Sequence, residues 1–190
     1  MSRRRSPARA STSPRSPERV AATDALVRRW CREGDEQAFA AFYRAEAPRL
    51  WKLLVARGAD PETAYDLLAE AFLRLTRTAC RDPSAPRALL YRIALNLLVD
   101  HQRRQATARR LAPDPAEPAT GGDPAEHEAL RRLVRERLDG DEQDIVLMRY
   151  WIGMTHREIA AALGLPEGTV RRKASEALAR LRAAWREGGA

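Results

Sequence analysis

With 190 residues, 34 Lys and Arg against 26 Asp and Glu, the chain carries a formal charge of +8 and a pI near 10.4. That surplus argues for a polyanionic partner and says nothing about fold. No apolar run approaches the ~20 residues that cross a bilayer, and no secretory apolar stretch follows the N-terminus, so neither membrane insertion nor export is expected. Cys31 and Cys80 lack metal-ligand spacing, so the reading is two inert thiols in a reducing cytosol, without a zinc site or a disulfide framework. Apart from Lys52 and Lys173 every cation is arginine; its planar fork suits phosphate and guanine, and a GC-rich genome produces the same bias.

Residues 1–19, rich in Arg, Ser and Pro and nearly free of apolar side chains, are expected to be a disordered basic tail. The Arg and Ser content is that of an organellar transit peptide, but Pro7, Pro14 and Pro17 oppose the amphipathic helix such a signal needs. From 20 to 105 the apolar spacing is helical throughout. Leu26, Val27 and Trp30 share one face of a first helix that stops near Gly34. Asp35 caps a second, with Ala38, Phe39, Phe42 and Tyr43 in register; Pro48 should break or kink it before Leu50, Trp51, Leu54 and Val55 resume. After Gly58, Asp60-Pro61 is a cap and first-turn pair for a third helix holding Leu67, Leu68, Ala71, Phe72 and Leu75. The loop 81–86 leads to a fourth, with Leu90, Ile93, Ala94, Leu97 and Leu98 apolar, ending in the charged run 100–104.

Residues 106–122 change character: Pro113, Pro115, Pro118 and Gly121-Gly122 leave nothing to pack and read as a linker. A second helical set fills 123–187. Asp123-Pro124 with Glu126 opens it as a capping box, and Leu130, Leu133, Val134 and Leu138 form a buried face. Asp139-Gly140 turns the chain into Ile145, Val146, Leu147 and Tyr150, and the last helix carries Ala177, Leu178, Leu181 and Trp185. The expected fold is all-α, two small helical domains joined by a flexible linker.

Within the second set, 155–173 reads as a helix-turn-helix. Thr155 and Glu158 make a capping box, Ile159, Ala160 and Leu163 one apolar face, and Gly164 a tight exit. Leu165 plugs the turn, Pro166 presets the next helix start, and Val170 packs back on the first helix. Arg171, Arg172 and Lys173 then fall on the early turns of the second helix, where a recognition helix meets phosphates and base edges. A helical hairpin with a solvated basic face is the plainer alternative.

Three segments carry a family resemblance. The run Tyr65-Asp66-Leu67-Leu68-Ala69-Glu70-Ala71-Phe72 and on to Leu75 resembles the core-polymerase-binding helix of sigma-70-type initiation factors. Leu90 to Arg104 resembles the helix of those factors that engages the −10 promoter element, and Gly164 to Arg171 the helix-turn-helix that reads −35. Two helical bodies around a Pro-rich linker are similar to the extracytoplasmic-function (group 4) branch. Departures are Ala69 where glutamine is usual, Leu89 for tryptophan, Leu95 for arginine, and Glu176 and Leu178 at often basic positions.

The resemblance implies a cytoplasmic sigma factor with three partners: core RNA polymerase at its clamp and flap regions, promoter DNA, and an anti-sigma factor that holds it inactive. Asp66 and Glu70, one helical turn apart, with Phe72 beside them, are the polymerase-binding candidates. Tyr91, Arg92, Asn96, Arg103 and Arg104 are candidates for the −10 strand, because an amide offers donor and acceptor to an exposed base and arginine neutralises phosphate and stacks. Asp100 would organise those arginines. Thr155, Glu167, Thr169, Arg171, Arg172 and Lys173 are the −35 candidates. No catalytic residue, metal or cofactor is expected: there is no glycine-rich phosphate loop and no triad, and His101, His127 and His156 stand apart. Two other readings remain open, a helix-turn-helix regulator that has lost polymerase binding and a decoy that titrates an anti-sigma partner.

Overall fold

The computed structural model describes residues 17–111 and 132–188, with side chains over 22–108 and 132–186. Four helices form the N-terminal body: α1 (Pro17–Glu33), α2 (Glu36–Ala56), α3 (Pro61–Thr78) and α4 (Pro86–Leu111). Their boundaries follow local chemistry. Asp35 accepts the Ala38 N–H at 3.0 Å and Asp60 the Thr63 N–H at 2.9 Å, each serving an otherwise orphaned donor of the first turn. Those bonds, the Ala38 N–H for Asp35 and the Thr63 hydroxyl and N–H for Asp60, hold both carboxyls below the usual carboxylate range. Gly34 leaves α1 in the left-handed region at φ 67°.

The C-terminal body follows with α5, described over 132–137, α6 (Gly140–Val146), a π-helical turn (Leu147–Ile152), α7 (His156–Leu163) and α8 (Glu167–Gly188). Asp139 and Glu142 close a capping box on α6. No strand occurs among the described residues, so the all-α reading holds. The two bodies are in contact. One apolar core runs from Phe42, Leu50, Leu54, Leu75, Leu90 and Leu98 into Ile145, Met148, Met154, Ile159 and Ala162, because α7 packs on α4 and the π-helical turn on α2. A smaller cluster of Val134, Leu138, Val146, Ala177 and Leu181 belongs to the C-terminal body alone.

A charge lies at the centre of this core. Glu46 of α2 is fully buried and accepts from Arg49 Nη1 at 2.8 Å and from the Tyr91 hydroxyl at 3.0 Å. Arg87, 3% exposed, sets its Nε 3.1 Å from Glu46 Oε2, an ion pair without hydrogen-bond alignment. Its Nη1 donates to Glu158 Oε1 of α7 at 2.7 Å, and its backbone N–H donates to Asp24 of α1 at 3.0 Å. Burial works against the Arg87 charge, but Glu46, Tyr91 and Glu158 together hold its pKa above the usual value. Burial, then Glu46, drives the Tyr91 phenol well up, so both stay protonated. At the other side of the contact, Arg57 Nε lies 2.7 Å from Asp144 Oδ1 of α6, and Arg57 Nη1 donates to Gln143.

Several expectations are corrected. Cys31 and Cys80 are joined as a disulfide, their Cα atoms 5.2 Å apart across 49 residues of sequence, tying the end of α1 to the turn after α3. Spacing along the chain is silent about that through-space distance. Helix α2 continues through Pro48; Pro48 and Arg44, whose carbonyl loses its donor, face water, while Phe42, Ala47, Leu50 and Leu53 hold both halves to one core. Helix α4 runs past 105 to Leu111, since the first proline after it is Pro113 and 105–111 are mainly helix-forming residues. Residues 17–19 start α1, Pro17 being tolerated in a first turn. Tyr150 and Trp185 are exposed, the one rotated outward by the π-helical register, the other one position off the covered stripe Ala177, Leu181 and Ala184. The rest of the basic tail, the linker from 112 on, the Asp123–Glu126 pair and Leu130 lie outside the described residues.

Two measurements test these energetics. Glu46→Ala leaves a buried guanidinium and phenol short of an acceptor and should lower unfolding free energy by about 3–5 kcal/mol, with Glu46→Gln milder because its amide oxygen still accepts; equal denaturant midpoints for wild type and Glu46→Ala would refute the network. Burial outweighs the pull of Arg57 and raises the Asp144 carboxyl to about 6. The native state therefore holds a proton that the unfolded chain releases at lower pH. The stability contributed is full below the ordinary carboxylate value and is lost as pH rises through about 6, by ~3 kcal/mol. The wild-type minus Asp144→Asn difference in unfolding free energy should fall between pH 4 and 6.5 and stay level above.

Candidate nucleic-acid interface

The helix-turn-helix forms as its residues dictate. The Glu158 N–H donates to Thr155 Oγ1 at 3.2 Å and the Thr155 N–H to Glu158 Oε2 at 2.7 Å, the reciprocal capping box of α7. Gly164 turns the chain at φ 68°, with nothing within 4 Å of a Cβ placed there, so glycine is needed for its backbone rather than for space. Val170 is fully buried and seats α8 on α7.

On α8 the expected cations are present but engaged. Arg171 donates to Glu167 at 2.6 Å, and Arg172 Nη1 lies 2.9 Å from both oxygens of Glu176. Both arginine side chains stay more than 60% exposed, so these are surface i,i+4 pairs of small energy. Lys173 differs: its side chain is 21% exposed and its Nζ is 3.5 Å from Asp139 and from Asp141, at the start of α6. Thr169 is half-buried beside the exposed arginines. The Thr155 hydroxyl donates to Glu158 Oε2 at 2.9 Å and accepts the Glu158 N–H. Both bonds serve the cap. Burial, then Arg149 and Arg171, hold the adjacent His156 below its usual pKa.

Helix α4 splits its expected set. Arg92, Asn96, Asp100, Arg103 and Arg104 are exposed along one stripe. Tyr91 is fully buried with its hydroxyl on Glu46, and Leu95, one turn on, is also buried. Tyr91 is thus a core residue and not a base contact, and Leu95 fills the core rather than vacating a phosphate site. The Arg92 Nε donates to the Ala162 carbonyl at 3.2 Å and its Nη2 to that of Ala161, both on the last turn of α7.

Helix α3 presents the opposite charge. Asp66 is exposed; Glu70, half-buried, pairs with Arg74 at 2.7 Å. Tyr65, Ala69 and Leu73 are exposed with them. Phe72, expected beside the acids, is buried with its ring 4.7 Å from Tyr43 and edge-on to Phe39 and Phe42, so it stiffens the helix from below. Sequence reasoning missed Glu46, Arg57, Arg87 and Asp144. One signal was available: Glu46 interrupts the apolar stripe Phe42, Leu50, Leu53, where a carboxylate is tolerated only if paired. Among the described residues no group of three His, Cys, Asp or Glu is placed to hold a metal, and no helix is long and apolar enough to cross a membrane.

Comparison with known proteins agrees with this geometry. Residues 42–115 match the family model described as sigma-70 region 2, and 136–183 the model described as sigma-70, region 4. The chain is 37% identical over 134 residues to the RNA polymerase sigma-E factor of Streptomyces coelicolor, covering 65% of this chain and 72% of that one. It is 28% identical over 159 residues to the ECF RNA polymerase sigma factor SigL of Mycobacterium tuberculosis, covering 78% and 89%. The fold is similar to that of CnrH, solved in complex with the cytosolic domain of CnrY, with a TM-score of 0.66 at 23% identity over 87% of this chain and 98% of that one. Region 2 on the arginine-striped helices, region 4 on the helix-turn-helix, and relatives of this similarity leave one conclusion: the chain belongs to the sigma-70 family of RNA polymerase sigma factors, in its extracytoplasmic-function branch.

Proposed function

We propose that the two bodies divide promoter-directed initiation between them: α3 docks on core RNA polymerase, α4 takes the melted −10 strand, and α8 reads the −35 duplex. The observation that carries this reading is the sorting of charge on successive helices. Asp66 and Glu70 with Tyr65 and Leu73 make an acidic, partly apolar face on α3 that repels DNA and suits a basic protein surface such as the polymerase clamp. Arg92, Asn96, Arg103 and Arg104 make a cationic stripe on α4 that suits single-stranded nucleic acid. Arg171 and Arg172 project from the recognition helix. The proposed domain division is an N-terminal body from 20 to the end of α4 and a C-terminal body over 123–187, with the C-terminal body also contacting the polymerase flap.

Such a protein binds and makes no bonds; strand separation draws on binding to exposed bases. The reading places it in the cytoplasm with the polymerase. An anti-sigma factor is the proposed regulator, in keeping with the structure of the sigma factor RpoE with the anti-sigma factor NepR from Bartonella quintana, similar in fold at a TM-score of 0.65. Transcription with purified core polymerase on a pool of genomic templates is the primary test; a promoter-specific transcript is expected, and none from any template would end the proposal.

Substitutions test the division of labour. Asp66→Arg with Glu70→Arg should abolish capture of core polymerase and leave −35 duplex binding intact, whereas Arg103→Ala with Arg104→Ala should spare capture and reduce open-complex formation. The reverse pattern would show the faces wrongly assigned. On α8, Glu176→Ala frees Arg172 and removes a carboxylate beside phosphate, at ~0.5 kcal/mol of helix stability. Its affinity for a −35 duplex should rise several-fold by anisotropy and the salt slope should steepen; an unchanged affinity would show that Arg172 does not meet DNA.

A further inference from the structure

In the cytoplasm proposed above, dithiol reductants keep most cysteines as thiols, and a disulfide that forms there is as a rule transient and redox-sensing. The Cys31–Cys80 bond has the features of such a site. Its Cα atoms stand 5.2 Å apart, so the sulfurs can join or part by side-chain rotation alone. Cys80 is exposed and Cys31 is half-buried against the apolar core, so an oxidant or a protein thiol can reach the bond from the Cys80 side. The two cysteines also share one sequence frame, Arg-x-x-Cys-Arg, made by Arg28, Cys31 and Arg32 and again by Arg77, Cys80 and Arg81. Arg32, Arg77 and Arg81 are exposed. Acids beside the cysteines are fewer, Glu33 and Asp82, the latter turned to the Ser84 N–H at 3.1 Å. That surplus of cations favours an anionic sulfur, which is both the attacking and the leaving form in thiol–disulfide chemistry.

We propose that Cys31 and Cys80 form a reversible oxidation site, closed by a peroxide and opened by a protein dithiol, and that the closed bond favours engagement of the melted −10 strand by α4. On closing, the Cys80 thiolate attacks a peroxide oxygen, the O–O bond breaks, and hydroxide leaves and takes a proton to become water. The Cys31 thiol then attacks the Cys80 sulfenic sulfur, the S–S bond forms and a second water leaves, so both thiols are oxidised and the peroxide is reduced. On opening, a thiolate of the dithiol attacks the exposed Cys80 Sγ and Cys31 departs as thiolate. The second thiol of the reductant then displaces Cys80, which leaves the reductant as a disulfide and the chain with both thiols. The bond acts on α4 through its position. It ties the end of α1 to the turn 79–85, which joins the acidic helix α3 to the cationic helix α4. The turn's own hydrogen bonds are short-range, from the Arg81 N–H to the Thr78 carbonyl and from the Ser84 N–H to Asp82. Asp24, also on α1, accepts the Arg87 N–H at 3.0 Å. Helix α1 thus holds this connection covalently at one end and by a hydrogen bond at the other. Opening removes the first hold and keeps the second, together with the burial of Ala79 and Arg87. The helices persist, the turn leading into α4 loosens, and more entropy is lost when a strand is bound there. This rests on the −10 role given to α4 above.

The test treats the full chain, without denaturant, with a thioredoxin-class dithiol and then with hydrogen peroxide, and follows free thiols by alkylation and mass. Both cysteines should become alkylatable and then protected again; a bond that resists the dithiol until the chain is unfolded is a structural bridge and overturns the proposal. Reduction should speed amide exchange over 79–85 several-fold at unchanged helical circular dichroism. With core polymerase, on the template that gives a transcript in the assay above, permanganate reactivity should show several-fold more open complex for the oxidised chain than for the reduced one. Cys31→Ser with Cys80→Ser should match the reduced wild type under both treatments, which removes any response of the polymerase itself. Equal capture of core by all three forms places the effect at DNA. The reduced wild type carries no substitution, so the comparison stands even where the serine variant folds poorly. Equal or greater open-complex formation by the reduced chain overturns the proposal and leaves the sigma reading intact. A chain that cycles between the two states but opens no promoter in either sinks the sigma reading, and the −10 consequence with it.

Discussion

The buried carboxylate of Glu46 is the constraint on which the rest of this structure depends. An unpaired charge at zero exposure is intolerable in an apolar core, so Glu46 requires donors from three places at once: Arg49 on its own helix and Tyr91 and Arg87 on α4. Meeting that requirement fixes the rotation of α4. With Tyr91 turned inward, Leu95 and Leu98 follow it into the core, and Arg92, Asn96 and Arg103 must point out. The exposed cationic stripe is thus a consequence of how the opposite face satisfies one buried charge. Arg87 carries the constraint further, since its second acceptor, Glu158, belongs to the other body.

That coupling explains why the bodies share one core although each matches its own family model. A contact built on apolar side chains alone would be indifferent to register; arginines reaching for Glu158, Asp144 and the α7 carbonyls select one docking. Of the three arginines, Arg87 and Arg57 have their ion pairs buried within the contact, and Arg92 lies exposed at its margin.

Charge on the outer surfaces follows a second rule, that an exposed arginine is kept close to an acid on its own helix. Arg171 with Glu167, Arg172 with Glu176 and Glu70 with Arg74 are all i,i+4 pairs on exposed helix faces. Such pairs hold long side chains in extended rotamers at little cost and give way to a stronger partner. Glu176, a departure from the family pattern at the level of sequence, is in the structure the partner of Arg172 and a local brake on its availability.

How far the sequence could be read depends on the range over which each feature is decided. Caps at Asp35, Asp60 and Thr155, the left-handed exits at Gly34 and Gly164, and the apolar stripes of α3 and α4 rest on interactions within four residues, and all were legible. So were the all-α class and the family, because they rest on local motifs in a given order. Which of two adjacent residues on α4 faces outward was not legible: Tyr91 and Arg92 are both plausible partners of a base until Glu46, 45 residues earlier, claims the tyrosine. The Cys31–Cys80 bridge, the continuity of α2 through Pro48, the turning of Lys173 toward Asp139 and Asp141, and the union of the two bodies share this property. Sequence by itself determined the elements and the chemistry they carry, because backbone hydrogen bonding and side-chain periodicity act along the chain. Only the tertiary structure decided which of those groups remain free to act, because burial and ion pairing act through space.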